Sequence, residues 1–385
     1  MGSDDALALM RELVARPTIT GGPNRDLVDD LASRLEALGA AVTIVPGPRP
    51  DALNIHAVLG PADVRGGLLL SAHTDVVDVA GQPWAGDPFT LRVEDGRALG
   101  RGAADMKGFV ASVLAVLGEL DPSALVRPLH VCLSCDEELG CKGVGPLLDR
   151  LVALGVAPEL VLVGEPTELR VVDRHKGKSA ARVHVRGAAA HSSVPSEGVN
   201  AVIYAARLVV ALEGVANRLA AGPADAGYRV PHATVSVGPI RGGVAINIVP
   251  DSCTVEVEVR ALPEQDPDAL LGEIVAVADG LQEEMQAAHP DAGIEFEPLM
   301  AYPGLRPGAN GALADQLQAL TRSPGRAAAD FGTEAGLYQQ RLGVPVLVCG
   351  PGSMAQAHRA DEYVTLEQLD RCRALLRALL ATLSV

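Results

Sequence analysis

The stretch LLLSAHTDVVDV, residues 68–79, ends an apolar run in His73, with Asp75 two residues on. A buried strand has no use for an imidazole and a carboxylate at its end, but a metal site does. Four further stretches place ligand-type side chains in the same way. GRGAADMKG carries Asp105, SCDEELGCKG carries Glu137 and Glu138, VGEPT carries Glu165, and GPGSMAQAHRADEY carries His358. His73, Asp105, Glu138, Glu165 and His358 form a nitrogen and oxygen donor set that suits Zn2+, with Co2+ or Mn2+ as substitutes. Five ligands exceed the needs of one tetrahedral ion with an open position. They fit two ions about 3.5–4 Å apart, bridged by one carboxylate and sharing a water whose pKa they lower. That water needs a base, and Glu137, beside a candidate ligand, is placed to be it. Asp75 is placed to orient His73 through its far ring nitrogen. Singly, each residue also has a plain structural reading: a helix N-cap for Asp105, a solvated pair for the glutamates, a turn for Glu165, a surface loop for His358. Their recurrence just past successive strands favours the metal.

The elements that must hold these residues alternate. Helices are expected at 6–15 and, from an N-cap at Asn24, to about Leu38. Strands are expected at 41–45, 54–59 and 68–71, then a hairpin of 89–93 and 98–100 turned at Asp95-Gly96. A helix at 106–120 and strands at 129–134 and 160–163 follow. This pattern predicts an α/β domain with a mostly parallel sheet flanked by helices. Open sheets of that kind collect ligands at the carboxyl ends of their strands. The middle of the chain reads differently. A half-exposed strand at 178–186, a helix at 199–212, strands at 233–237 and 253–259, a helix at 268–287 and a strand at 294–297 make an independent two-layer α+β module. The α/β pattern resumes with a strand at 345–349 and a capping box, Thr365 to Gln368, opening the last helix. The expected organisation is therefore residues 1–175 and 299–385 as one catalytic domain, with residues 176–298 inserted.

With 385 residues and 48% hydrophobic content, two cores are within reach. The formal charge of −16 speaks against nucleic acid or anionic membranes as partners. The acidic N-terminus lacks an export-signal pattern, and no apolar run is long enough to span a bilayer. The expectation is a cytoplasmic protein whose six cysteines are free thiols. A zinc finger built on Cys132, Cys135 and Cys141 is disfavoured, since no paired set follows at finger spacing.

Together, SAHTDVV, GRGAADMKG, SCDEELGCKG, GEPT and the late QAH resemble the co-catalytic zinc deacylase and carboxypeptidase family over essentially the whole chain. That family includes acetylornithine deacetylase, succinyl-diaminopimelate desuccinylase, aminoacylases and two-zinc carboxypeptidases. The resemblance implies His73, Asp105 and Glu165 on one zinc and Asp105, Glu138 and His358 on the other. It also implies Glu137 as general base, Asp75 as the orienter of His73, and a cis bond between Asp105 and Met106. The inserted module would be a lid that also forms a homodimer. On it, His191 would stabilise the oxyanion, and Asn247 and Arg260 would bind the substrate carboxylate or the reacting carbonyl. DFGTEAGLYQQ is most similar to the acetylornithine deacetylase branch. It nominates Thr333 as a substrate contact and Glu334 as partner to an ornithine-like ammonium, or else as a helix cap. The reaction implied is hydrolysis of a small N-acyl-L-amino acid, N-acetyl-L-ornithine first. Another N-acyl-amino-acid deacylase, a desuccinylase and a dipeptidase are the alternatives. An amide-forming relative and a non-catalytic metal scaffold stand further off.

Overall fold

The structure is a computed structural model and describes residues 3–384. Two compact units emerge. The first comprises the residues up to Arg174, Leu305–Ala328 and those from Thr333 on; the second comprises His175–Gly304 and Ala329–Gly332. In chain order the first unit opens with α1 (Ser3–Val14), α2 (Arg25–Ala37), β1 (Ala41–Pro46), β2 (Leu53–Leu59), β3 (Leu68–His73), β4 (Arg92–Glu94) and β5 (Arg97–Leu99). It continues through α3 (Lys107–Leu117), β6 (Leu129–Ser134), α4 (Gly145–Ala153), β7 (Leu160–Pro166) and β8 (Val172–His175). Then come β9 (Gly177–Arg186), α5 (Ala201–Ala220), β10 (Thr234–Gly242), β11 (Ser252–Ala261), α6 (Pro267–Ala288) and β12 (Gly293–Tyr302). The return path is α7 (Ala312–Thr321), β13 (Ala327–Ala329), α8 (Ala335–Leu342), β14 (Val346–Gly350), β15 (Tyr363–Thr365) and α9 (Leu366–Ala381).

The main sheet of the first unit has the order β1-β2-β6-β3-β7-β14-β8-β13. Its four central strands, β6, β3, β7 and β14, run parallel, while β1, β2 and β8 join antiparallel. The strands alternate between two buried faces. Ile55, Ala57, Leu70, Ala72, Val131 and Leu133 enter one core with residues of α1, α2, α3 and α9. The intervening residues face the other way, where Ser71 meets Tyr338 of α8 and His56 meets Arg150 of α4. α3 is buried on all sides, as its apolar run KGFVASVLAVL requires. A small antiparallel sheet, β15-β5-β4, lays the segment before α9 beside the segment before α3. Its hairpin turns at Asp95 and Gly96, both at positive φ, as a two-residue primed turn demands.

The second unit has a four-stranded antiparallel sheet, β10-β11-β9-β12. β11 alternates residue by residue in burial. Its valines pack with Val183 and Val185 of β9 against α5 and α6. The opposite face is a ladder of charges, with Arg182 between Glu256 and Glu297 and Lys178 on Glu258.

Several local readings change. Asn24 precedes α2, but its side chain makes no cap; it clamps β2 instead, donating to Leu53 O and accepting from Leu53 N. Thr365 does cap α9 by accepting from Gln368 N, while the Gln368 side chain accepts from Gly352 N rather than closing the box. β12 runs on to Tyr302, past the expected end at 297, so the second unit extends to Gly304. α4, α7, α8, β8 and β13 carry too few turns or residues for a periodic signal. All six cysteines are free and buried.

The alternate face holds a stacked pair, His56 Nε2 to His130 Nδ1 at 3.0 Å, with Arg150 Nε donating to His56 Nδ1. Burial holds both rings near a pKa of about 4, helped at His56 by the charges of His130 and Arg150. An unfolded chain binds those protons near pH 6.5. The pair's contribution is therefore full above about pH 6.5 and is lost as pH falls from there through 4. Urea midpoints taken in chelator between pH 7.5 and 4.5 should fall with pH. Replacing both histidines with leucine should flatten that slope; an unchanged slope would exclude the pair as its source.

Candidate metal centre

Parallel strands share one carboxyl edge, and that edge is where the candidate ligands gather. His73 is the last residue of β3, Glu165 lies at the end of β7, and Glu137 and Glu138 follow β6 by three and four residues. Those three strands are neighbours in the sheet. Asp105 stands just before α3, and its bond to Met106 is cis, as expected. His358 arrives from the loop between β14 and β15 with φ 61°. Asp136 and Cys141, flanking the two glutamates, also take positive φ. Left-handed backbone at non-glycine residues is costly, and here it collects in the loops that carry the ligand-type side chains.

The geometry centres on Asp105. Its Oδ1 lies 2.9 Å from His73 Nε2, and its Oδ2 lies 3.3 Å from His358 Nε2. Glu165 Oε1 is 3.9 Å from His73 Nε2, and Glu138 Oε1 is 2.9 Å from His358 Nε2. Two groups with the reach to hold an ion result: His73 with Asp105 and Glu138, and His73 with Glu137 and Glu165. Among the described residues neither group contains a cysteine.

The donor set passes a test of fit. His73 Nδ1 lies 2.9 Å from the Asp75 carbonyl oxygen, which can only accept, so Nδ1 carries the ring's proton. Neutral His73 then turns a lone pair from Nε2 onto an Asp105 oxygen, an arrangement that only a proton or a cation between them reconciles. Burial alone would lower the His73 pKa, but Asp105, Glu165 and Asp75 outweigh it and raise it. His358 is pushed up to about 10 by its bonds to Asp105 and Glu138. Burial raises Glu137, Glu138 and Glu165, and their like-charged neighbours raise them further. Asp105 goes the other way, held low against burial by the two imidazoles. A buried carboxylate cluster of this density needs positive charge, and divalent cations would supply it.

A sequence profile of the peptidase family M20/M25/M40 matches residues 69–382. The chain belongs to that family. It is 35% identical to an acetylornithine deacetylase of Myxococcus xanthus, covering 96% of this chain and 95% of the relative. It is 32% identical to an acetylornithine deacetylase of Proteus mirabilis, over 97% and 95%. A metallo-carboxypeptidase of family M20 from Sulfolobus solfataricus shares the fold at a TM-score of 0.78 and 18% identity, over 99% of both chains. As a member of family M20 the protein is a metallohydrolase acting on amides.

Within this M20 chain the supporting residues differ in part from expectation. The Asp75 backbone carbonyl, rather than its carboxylate at 3.7 Å, takes the close contact to His73 Nδ1. The carboxylate instead accepts from the backbone N–H groups of Glu137 and Glu138, both at 3.1 Å, because burial leaves it no water to accept from. Asp75 therefore fixes the glutamate loop to the end of β3. Asp136 anchors the same loop from outside, accepting from Arg49 Nε and Gly21 N. Cys141 Sγ sits 3.2 Å from Glu137 Oε1. Arg101 and Glu362 form a fully buried pair at 2.7 Å, and Glu362 Oε1 accepts from Asp105 N. Arg101 and Glu362 lie inside GRGAADMKG and GPGSMAQAHRADEY, but nothing in residue type or spacing marks them as a pair.

The capping bond at α8 comes from Thr333 rather than Glu334. Thr333 Oγ1 accepts from Ala335 N, while Glu334, at the cap position, makes no capping bond. Glu334 is buried and raised to about 7 by burial, against the pull of Ser134 and His73, and its Oε1 has no hydrogen-bond partner among the described residues. In the second unit His191 is exposed and bridges Ile248 through the backbone, with Ser192 N donating to Asn247 O. His191 and Asn247 are thus neighbours. Arg260 Nε donates to Glu258 at 3.1 Å.

Cations that relieve the carboxylate cluster should stabilise the fold. At a free Zn2+ level a hundredfold above the dissociation constant, the gain is about 2.7 kcal/mol, read as a rise of several degrees in Tm. Chelator should reverse it. Because Glu137, Glu138 and Glu165 hold protons tightly, the rise should shrink as pH falls from 7 to 5. A Tm indifferent to both ion and chelator would refute this account.

Proposed function

We propose that the protein hydrolyses N-acyl-L-amino acids, N-acetyl-L-ornithine first, to acetate and L-ornithine in arginine biosynthesis. Two Zn2+ ions would be held, one by His73, Asp105 and Glu165, the other by Asp105, Glu138 and His358. The observation that carries this reading is the Asp105 carboxylate, whose two oxygens face two different imidazoles as a bridging ligand's must. When bound, two such ions polarise an acyl carbonyl and lower the pKa of a water between them.

The chain supplies the rest. Glu137, its proton affinity raised by burial, takes a proton from water and returns it to the leaving amine. Cys141 steadies that carboxylate. His191 Nδ1 is engaged by Ser193, its hydroxyl at 2.7 Å and its backbone N–H at 3.1 Å, so Nε2 is the nitrogen offered as donor. The ring is thereby a donor, suited to an acyl oxygen gaining charge, and a good donor there is worth about 2.7–4 kcal/mol. Asn247 and Arg260 are the proposed contacts to the substrate carboxylate, Arg260 through a bidentate pair. Thr333 and Glu334 are proposed for the amino-acid side chain. Glu334, with an unpartnered buried oxygen, suits an ammonium.

The names of the relatives at 32% and 35% identity support the choice of acetylornithine. A homodimer through the second unit is supported by exposed Ile203 and Val210 on α5 and Ile240 on β10, an edge strand of its sheet. No described helix is long and apolar enough to cross a membrane, and a cytoplasmic location is part of the proposal.

Amine release from a panel of N-acetyl, N-succinyl and N-formyl amino acids and dipeptides, with Zn2+ and with chelator, tests the reading. Zn2+-dependent turnover fastest on N-acetyl-L-ornithine is expected. A preference for another substrate would keep the chemistry and move the branch. Glu137→Gln should bind ions as the wild type does and lose roughly 10²–10⁴-fold in kcat. Unchanged turnover in that variant would remove Glu137 as the base.

A further inference from the structure

One buried ion pair lies outside the ligand set yet touches the backbone of one of its members and, through Gln82, reaches that of another. Arg101 Nη1 donates to Glu362 Oε2 at 2.7 Å, and both side chains are about 1% exposed. The other oxygen of Glu362 accepts from Ala104 N at 2.9 Å and from Asp105 N at 3.0 Å. Glu362 thus holds the peptide of the bridging carboxylate. Arg101 reaches the other way: Nη2 donates to Gln82 Oε1 at 2.6 Å, and Gln82 Nε2 donates to His358 O at 3.3 Å. Nη1 also lies 3.4 Å from Arg359 O. The pairing of Tyr363 with Leu99 brings the two loops side by side. Trp84, the only tryptophan in the chain, places its ring 5.0 Å from the Arg101 guanidinium and donates to Gln82.

A buried ion pair of this kind is poor evidence of stability, since desolvation offsets its attraction. What it supplies is position. Asp105 and His358 come from loops about 250 residues apart, and neither loop is held in register by the main sheet. We infer that Arg101 and Glu362, with Gln82, are positioning residues that set the separation of Asp105 from His358 and so the affinity of the ion these two ligands share. The inference rests on the proposed two-ion reading of the centre. Outer partners of metal ligands act in this way by fixing ligand orientation, and their loss costs roughly 10–100-fold in affinity.

The experiment is calorimetric titration of the metal-free full chain with Zn2+, for wild type, Glu362→Gln and Gln82→Ala. Circular dichroism confirms folding, and Trp84 fluorescence reports the state of the Arg101 cluster. Wild type should bind two ions. Glu362→Gln should bind one ion as before and the other roughly tenfold or more weakly, with a shifted Trp84 emission. Gln82 is only half-buried, so Gln82→Ala spares the ion pair and the fold; it should weaken the same ion by a smaller factor. Selective weakening in Gln82→Ala supports the proposal even if Glu362→Gln does not fold. If wild type binds two ions and either folded variant binds both with wild-type affinity, the positioning role is overturned while the two-ion reading stands. If wild type binds fewer than two ions, the two-ion reading fails and takes this inference with it.

Discussion

Carboxylates packed out of water at the edge of a parallel sheet repel one another, and everything around them is arranged to hold that repulsion in place. Asp105 and Glu165 are buried, Glu138 is nearly so, and Glu137 stands beside them with a raised proton affinity. Left alone, such a cluster takes up protons or swells apart. Swelling is opposed because its backbone is pinned from several sides. Asp75 holds the amides of Glu137 and Glu138, Glu362 holds the amide of Asp105, and Asp136 ties the glutamate loop to Arg49. Each of these anchors is itself a carboxylate accepting from N–H groups, and the arginines nearby, Arg101 and Arg49, are engaged by Glu362 and Asp136 rather than by the ligand-type carboxylates. The centre therefore keeps a deficit of positive charge, which is what a pair of divalent ions would meet.

The sheet explains why the deficit lies where it does. β6, β3 and β7 are adjacent and parallel, so their ends deliver Glu137, Glu138, His73 and Glu165 to one edge with no long loops. Parallel packing buries both strand faces, and helices of the first unit cover them. Every residue of β3, β6 and β7 is buried, so the edge rests on a packed interior. The two remaining candidate ligands, Asp105 and His358, come from loops instead, which the small β4-β5-β15 sheet and the Arg101–Glu362 pair tie together.

The second unit is built differently. Its core is its own, with α5 and α6 on one face of the sheet and paired charges on the other. His191 and Asn247 sit together on exposed backbone near Ile246, which is fully exposed.

Much of this was legible from sequence because its causes are local. Apolar runs of strand length ending in His73, Ser134 and Val163 fix both a buried sheet and the places where ligands emerge, since open α/β sheets gather their sites at carboxyl ends. The β-α-β-β-α-β run from 177 to 302 is visible because half-exposed strands alternate and the helices are long. The family motifs nominated the ligands by type and spacing. What sequence could not decide was every choice between partners of equal chemistry. Asn24 has the composition of a cap and became a strand clamp, because Leu53, 29 residues away, offered both a donor and an acceptor. Asp75 gave its carbonyl, not its carboxylate, to His73. Arg101 and Glu362 looked like motif punctuation until folding placed them 2.7 Å apart across 261 residues. Residue type and periodicity are properties of the chain. Which acceptor a buried donor finds is set by three-dimensional proximity, and only the tertiary structure supplies that.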